Sequence, residues 1–195
     1  MFWKSMLSFL VLVASSVFAD DGTDRKLFNF DDSRASRPWQ TVNDGVMGGR
    51  SVGRFRINKD KNLEFFGILS LENNGGFASV RSRGSTLGLM KGNALVLRVR
   101  GDGRKYKLNL YTPRRLVAFS YRAEFQTQKG KWIEVTVPLD KFVATSFGRV
   151  VRSRPLDPGT VNGLGILLGD KKAGPFKLEI DWIKVRSGSR QADAE

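Results

Sequence analysis

The sequence predicts an all-β domain built as an antiparallel β-sandwich or jelly roll. Three observations carry this reading. Apolar and polar residues alternate at a period of two through most of the chain. Turn signals rich in glycine, proline, asparagine and aspartate recur between the alternating runs. No segment sustains a long helical period. Many short strands with one apolar face are best buried by packing two sheets together, since a single sheet of this size would leave that face wet.

Taken in chain order, the first nineteen residues read as an export signal. Lys4 supplies the positive start, Met6 to Val17 the apolar core, and Val17-Phe18-Ala19 the small residues around a cut after Ala19. The uncharged stretch from Ser5 to Ala19 is shorter than the roughly 18 residues a membrane-spanning helix needs. A mitochondrial import sequence should be amphipathic and rich in arginine, and this segment has no arginine. The expectation is therefore a periplasmic or secreted protein without a transmembrane helix in its mature chain. Residues 20–26 are expected to be a linker, 27–186 the β-sandwich domain and 187–195 a disordered polar tail.

Leu27-Phe28-Asn29-Phe30 opens the strands, and Asp31-Asp32 ends that run before the Arg37-Pro38 loop. Phe55 and Ile57 alternate with Arg54 and Arg56. In the run from Leu63 to Leu71, Phe66 and Ile68 fall out of phase with Leu63, Phe65 and Leu69, which suggests a bulge at Gly67. Leu95, Leu97 and Val99 alternate with Arg98 and Arg100, and Tyr106, Leu108 and Leu110 with Lys105, Lys107 and Asn109. Gly101-Asp102-Gly103 between them is short enough for a hairpin. Val117, Phe119 and Tyr121, then Ile133, Val135 and Val137, continue the pattern. Val161 to Leu168 and Phe176 to Val185 close it, giving about nine or ten strands. Short helical turns are expected near Ser85–Lys91 and Leu139–Ser146.

Composition excludes much chemistry. The 195 residues contain no histidine and no cysteine, so a Ser/His/Asp triad, a cysteine nucleophile and ordinary zinc or copper sites are unavailable. The formal charge is +14, which attracts anionic partners such as acidic protein surfaces, acidic glycans or anionic membrane surfaces. The sequence has no recognised nucleic-acid-binding motif, which with export argues against nucleic acid.

Two glycine-rich hallmarks dominate the stretch from Trp39 to Arg81. They are Asn43-Asp44-Gly45-Val46-Met47-Gly48-Gly49-Arg50-Ser51 and Leu69-Ser70-Leu71-Glu72-Asn73-Asn74-Gly75-Gly76-Phe77-Ala78-Ser79-Val80-Arg81. With Phe30-Asp31-Asp32 before them and Gly174-Pro175-Phe176 and Ile180-Asp181-Trp182-Ile183 at the close, this arrangement resembles the complex I intermediate-associated protein 30 family over residues 27–186. The resemblance implies a galactose-binding-like jelly roll and a non-catalytic assembly chaperone for respiratory complex I. That role belongs with machinery reached from the matrix or cytosol, whereas the leader implies export.

Four constellations are candidates for function. The hallmark loops offer exposed amides and side chains to a protein client or a glycan, with Asn43, Asp44, Met47, Asn73 and Asn74 as contacts and Trp39 and Arg81 at the ends of the stretch. A basic face is expected where the hairpin sets Arg98 and Arg100 beside Lys107, joined by Arg122 and Trp132. Asp31, Asp32 and Asp181 would approach one another if the first and last strands pair, and could hold a structural calcium ion; no other cofactor is expected. Glu64, Glu124 and Glu134 are the carboxylates a glycosidase would need, but nothing in the sequence sets any two of them at a working separation. The sequence thus favours a binding module over an enzyme, protein binding leading and carbohydrate binding as the alternative.

Overall fold

The computed structural model describes residues 24–82, 84–90, 92–113 and 119–187, and these form two packed antiparallel sheets. The expected signal at 1–19, most of the 20–26 linker, Val117 and the tail from 188 lie outside the described residues. Thirteen strands are present among the described residues, more than the alternation suggested, because several are too short or too buried to show a clean period.

One sheet contains β3 (Val52–Ile57), β4 (Leu63–Leu69), β13 (Gly174–Ser187), β6 (Gly92–Arg100) and β9 (Trp132–Pro138) in that order, with β1 (Arg25–Asn29) also on β13. The other runs β11 (Arg149–Val150), β10 (Val143–Ser146), β8 (Phe119–Gln126), β7 (Lys105–Tyr111), β12 (Gly163–Leu168), β5 (Ala78–Ser82) and β2 (Trp39–Asn43). β13 is the spine of the first sheet. Residues 174–180 pair with β4 and residues 182–185 with β1, while β6 lies along the other side.

The core lies between the sheets. Leu63, Phe65, Leu95, Leu97, Val99 and Leu178 from one sheet meet Val80, Tyr106, Leu108, Leu110, Leu164 and Ile166 from the other, all essentially fully buried. Each such aliphatic or aromatic side chain contributes about 1.5–3 kcal/mol relative to leaving it in water.

Three local expectations are corrected. Gly67 is not a bulge, because the register of β4 against both neighbours runs through it unbroken. Leu63, Phe65 and Leu69 point inward with Gly67, and Phe66 and Ile68 simply alternate outward. Gly67 is glycine because its φ is 155° and a Cβ there would stand 1.8 Å from the Val52 carbonyl oxygen. The shift falls instead on β13 between Ile180 and Trp182. Gly101-Asp102-Gly103 is not a hairpin either. It carries the chain from β6 in one sheet to β7 in the other. Finally, only Leu139–Lys141 makes a 3-10 turn where helical turns were expected. Val143–Ser146 is a strand, and the described part of 85–91 is irregular.

Candidate functional site

The two hallmark segments are both connections between sheets at one end of the sandwich. Asn43 to Ser51 leads from β2 to β3, and Leu71 to Phe77 from β4 to β5. Both contain a short 3-10 turn, Asp44–Met47 and Glu72–Asn74.

Asp44 ties them together. Its carboxylate is 1% exposed and accepts hydrogen bonds from the Ser51 amide at 2.9 Å and the Ser51 hydroxyl at 2.6 Å. It also accepts from the Gly76 amide at 2.7 Å and the Phe77 amide at 3.2 Å, across to the second connection. The Asp44 amide donates to the Phe77 carbonyl. Burial alone would raise the Asp44 pKa, but these donors outweigh it and hold the group below the usual carboxylate value. Two of the glycines exist to make room for this carboxylate. A Cβ on Gly49 would lie 2.4 Å from Asp44 Cγ, and one on Gly75 would lie 2.6 Å from Asp44 Oδ2.

Smaller contacts complete the joint. Ser51 Oγ accepts the Ser70 amide at 3.0 Å. Asn73 Nδ2 donates to the Gly48 carbonyl at 3.3 Å, and Arg50 pairs with Glu72 at 2.8 Å on the surface. Asn73 and Asn74 both adopt left-handed backbone conformations, φ 54° and 58°, which asparagine tolerates better than most residues. Both side chains are exposed.

This geometry sorts the expected contact residues. Met47 is 64% exposed and Val46 beside it 75% exposed, so the turn held from below by Asp44 presents apolar side chains outward. Leu71, on the second connection, is also exposed, as are Val52 and Ile68, which face each other across β3 and β4. Asp44, by contrast, is an internal clamp and is not available to a partner. Asn43 turns inward, donating to the Gly53 carbonyl at 3.1 Å. Trp39 is a core residue, packed against Phe28 and Phe30 at ring separations of 5.1 and 5.9 Å. Val46 and Leu71 were missed in the sequence because an isolated apolar residue in a turn looks like any other. Their signal was apolar residues inside polar, glycine-rich loops.

The single basic face does not exist. Because β6 and β7 belong to different sheets, Arg98, Arg100 and Trp132 lie on the outer face of one sheet and Lys107 and Arg122 on the outer face of the other. On the first face the charge is largely compensated. Arg100 grips Glu179 with two bonds of 2.7 and 3.0 Å, and Arg98 reaches Asp181 at 3.4 Å. Arg56 and Lys177 meet Glu64 at 2.9 and 3.7 Å. Trp132 stands against both arginines, 4.9 Å from the Arg100 guanidinium and 5.6 Å from that of Arg98. Glu64 and Glu179 pair across β4 and β13, a buried carboxylate couple that alternation alone could not distinguish from solvated side chains. Arg81 lies on the second sheet, its Nε donating to Ser79 Oγ at 3.1 Å.

The first and last strands do pair, with Asn29 opposite Trp182. Their aspartates nevertheless diverge. Asp32 caps the 3-10 turn at Ser33–Ser36 and binds Arg34, Asp31 accepts from Asn29, and Asp181 faces Arg98. Among the described residues no three acidic side chains come together as a metal-binding group. Among them, too, no helix is long and apolar enough to cross a membrane.

Comparison with known proteins places this geometry in context. The family model for complex I intermediate-associated protein 30 matches residues 28–180. The mitochondrial complex I intermediate-associated protein 30 of Mus musculus is 31% identical over 185 residues, covering 83% of this chain and 56% of that protein. Its counterpart in Drosophila melanogaster is 33% identical over 123 residues, covering 55% of this chain and 42% of that protein. The chain thus spans about half the length of the curated relatives it matches. Among solved structures, a family 11 carbohydrate-binding module from Clostridium thermocellum, in complex with a mixed-linked tetrasaccharide, superposes with a TM-score of 0.62 at 13% identity, over 86% of this chain and 96% of that one. The same module type from a cellulosomal cellulase gives 0.63 at 10% identity, over 86% and 97%. These likenesses establish the β-sandwich fold. The mitochondrial relatives overturn the expectation of periplasmic or secreted localisation. That expectation rested on hydropathy and a small-residue cut site, which do not by themselves specify a destination.

Proposed function

Because the chain belongs to the complex I intermediate-associated protein 30 family, we propose that it is a non-catalytic protein-binding module that holds a client during assembly of respiratory complex I. The client sits on the rim formed by the two sheet-to-sheet connections. One observation carries this reading: the two glycine-rich connections are locked through the buried Asp44, and the turn they lock exposes Val46 and Met47. Apolar side chains held out on a rigid frame lose little conformational freedom on binding, so their burial converts efficiently into affinity. Leu71 on the second connection, and Val52 and Ile68 where β3 and β4 meet the two connections, are also exposed.

A photo-crosslinking residue in place of Met47, expressed in the native organism, tests this. Capture of a complex I subunit from position 47, and not from the exposed turn residue Lys59 in the β3–β4 hairpin, is the expected result. Equal capture from both positions, or none of a complex I subunit at 47, would sink the reading.

A second reading is a glycan-binding module. Its support is the likeness to a carbohydrate-binding module complexed with a tetrasaccharide and the presence of Trp132 and Trp182 on one outer face, where aromatic rings could stack on sugars. Those rings are engaged by Arg98, Arg100 and Lys184, which favours the protein client. Retention on a mixed-linked glucan column, lost in Trp132→Ala, would reverse that preference.

A further inference from the structure

We propose that the outer face of the seven-stranded sheet holds an oxyanion-binding site made by Arg81 and Arg122 around Tyr111. Arg81 is on β5, into which the second rim connection leads, but the site lies on the outer face of the sheet and uses none of the exposed apolar residues of the rim. The oxyanion is a carboxylate or a phosphate group.

Register assembles the site. Arg122 on β8 stands opposite Asn109 on β7, Asn109 opposite Gly165 on β12, and Gly165 opposite Arg81 on β5. These four residues form one row across the sheet, and all point away from the core because their neighbours Tyr121, Leu110, Ile166 and Val80 point into it. With strands about 4.8 Å apart, the two arginine backbones are separated by about 14 Å, a span that two long side chains leaning inward can share. Gly165 is the low point between them. A Cβ there would lie 3.1 Å from both Tyr111 Cε2 and Arg81 Cγ, so Tyr111 and Arg81 fold over the space glycine leaves.

The side chains do lean inward. Arg122 Nε donates to Asn109 Oδ1 at 3.0 Å, and Asn109 Nδ2 reaches the Tyr111 hydroxyl at 3.4 Å. The Arg81 guanidinium lies 5.3 Å from the centre of the Tyr111 ring. Asn109 is 1% exposed, unusual for a polar side chain on the outside of a sheet, and it fixes Arg122 and Tyr111 from beneath.

Charge then decides what the site accepts. On the six-stranded sheet Arg56, Arg98 and Arg100 each have a carboxylate. On this sheet, among the described residues, neither Arg81 nor Arg122 has one. Glu124, on β8 with Arg122, faces Lys105 at 3.5 Å and Lys107 at 3.9 Å and is half exposed. Burial lowers the pKa of Arg122, and Arg81 lowers it further. Lys107 stands apart from the two arginines, its ammonium donating to the Gly169 carbonyl at 3.4 Å and facing Glu124. An arginine partly withdrawn from water and repelled by a second one is costly alone, and a shared anion relieves that cost. Among the described residues the terminal nitrogens of Arg81 and Arg122 make no hydrogen bond or ion pair, and such forks suit a planar carboxylate or a phosphate, gripped with two bonds each.

The test is an NMR titration of the full chain at constant ionic strength, following the arginine Nε–H and tyrosine ring signals. The probes are inorganic phosphate and glucuronate, with glucose as the neutral control. Phosphate, glucuronate or both should perturb Arg81, Arg122 and Tyr111 while glucose does not, and the stronger of the two identifies the ligand source. Arg81→Gln and Arg122→Gln should each weaken that binding by about tenfold or more, whereas Arg50→Gln at the rim should not. Circular dichroism verifies the fold of each variant. If Arg122→Gln does not fold, the wild-type perturbation map together with Arg81→Gln still decides. Perturbation by neither anion, or perturbation unchanged in Arg81→Gln, overturns the proposal.

Discussion

The Asp44 carboxylate accepts the backbone amide of Gly76, thirty-two residues further along the chain, at 2.7 Å, and so joins the two connections. Removing that acceptor strands the amides of Ser51, Gly76 and Phe77 at once. Since a buried donor left unpaired costs about 1–3 kcal/mol, Asp44→Ala should lower unfolding stability by about 3 kcal/mol or more. Asp44→Asn keeps one acceptor oxygen and should lose less. Urea denaturation of the three proteins checks this ordering, and crosslinking from position 47 should fall in Asp44→Ala even where the fold survives.

The pH dependence follows from the same carboxylate and two others. In Asp44 the hydrogen bonds outweigh burial. In Asp170 burial pushes the other way, and the Arg104 bonds and charge together with the backbone amides of Lys172 and Asp170 outweigh it. In Glu179 the Arg100 hydrogen bond leads and burial opposes it. All three are therefore depressed in the folded chain. The unfolded chain binds protons first as pH falls, so the stability they contribute is complete above the unfolded values of about 4. It is lost as pH drops through the lower folded values. Stability should be flat near neutral pH and fall below about pH 4, and the fall should be shallower in Asp44→Asn. Urea midpoints between pH 7 and pH 2.5 measure this.

Much of the fold was legible because alternation at period two marks the strands and which residues face inward. Leu95, Leu97, Val99, Tyr106, Leu108 and Leu110 all lie where that pattern puts them. Which sheet a strand joins was not legible. A Gly-Asp-Gly turn suits a hairpin or a crossing equally, and only the packing of β7 against β8 and β12 decides. The candidate site suffered most from this, since one expected basic face became two. Asp44 shows a second limit. An Asn-Asp-Gly run looks like an exposed turn, and only the approach of Gly49 and Gly75 reveals that its carboxylate points inside.

Gly67→Ala probes the closest backbone approach in the six-stranded sheet. The added Cβ would meet the Val52 carbonyl at 1.8 Å, and the φ of 155° is one that alanine rarely adopts. β3 must then move off β4, with a loss of about 2 kcal/mol or more. Hydrogen exchange should show faster exchange of the β3 amides than of those in β12. Unchanged exchange would show that β3 yields without cost.

The β10–β11 hairpin turns through Phe147 and Gly148, with φ of 46° and 78°. Two successive left-handed residues fit the tight turn whose preferred pair is Asn-Gly. Phe147 is 62% exposed, so replacing it sacrifices little burial. Phe147→Asn should raise stability by about 0.5–1 kcal/mol. A decrease would mean that the ring is held against the hairpin in solution.

Arg104 and Asp170 supply the most informative test of how the crossing after β6 is held. Arg104 Nε and Nη2 reach the two Asp170 oxygens at 3.0 and 2.6 Å, and the remaining donors bind the carbonyls of Lys172 and Pro175. The guanidinium thus ties the start of β7 to the loop that leads into β13. Both side chains are about nine-tenths buried. Truncating one partner leaves the other charge buried alone, so Arg104→Ala and Asp170→Ala should each cost about 3–5 kcal/mol. The apolar pair Arg104→Met with Asp170→Leu removes both charges and should recover most of the Asp170→Ala loss, though the Lys172 and Pro175 carbonyls lose their donor in it. A double-mutant cycle by urea denaturation, with Arg104→Met and Asp170→Leu as its single variants, separates the two contributions. If the double variant is no more stable than the singles, the carbonyl bonds hold this corner and the ion pair is secondary.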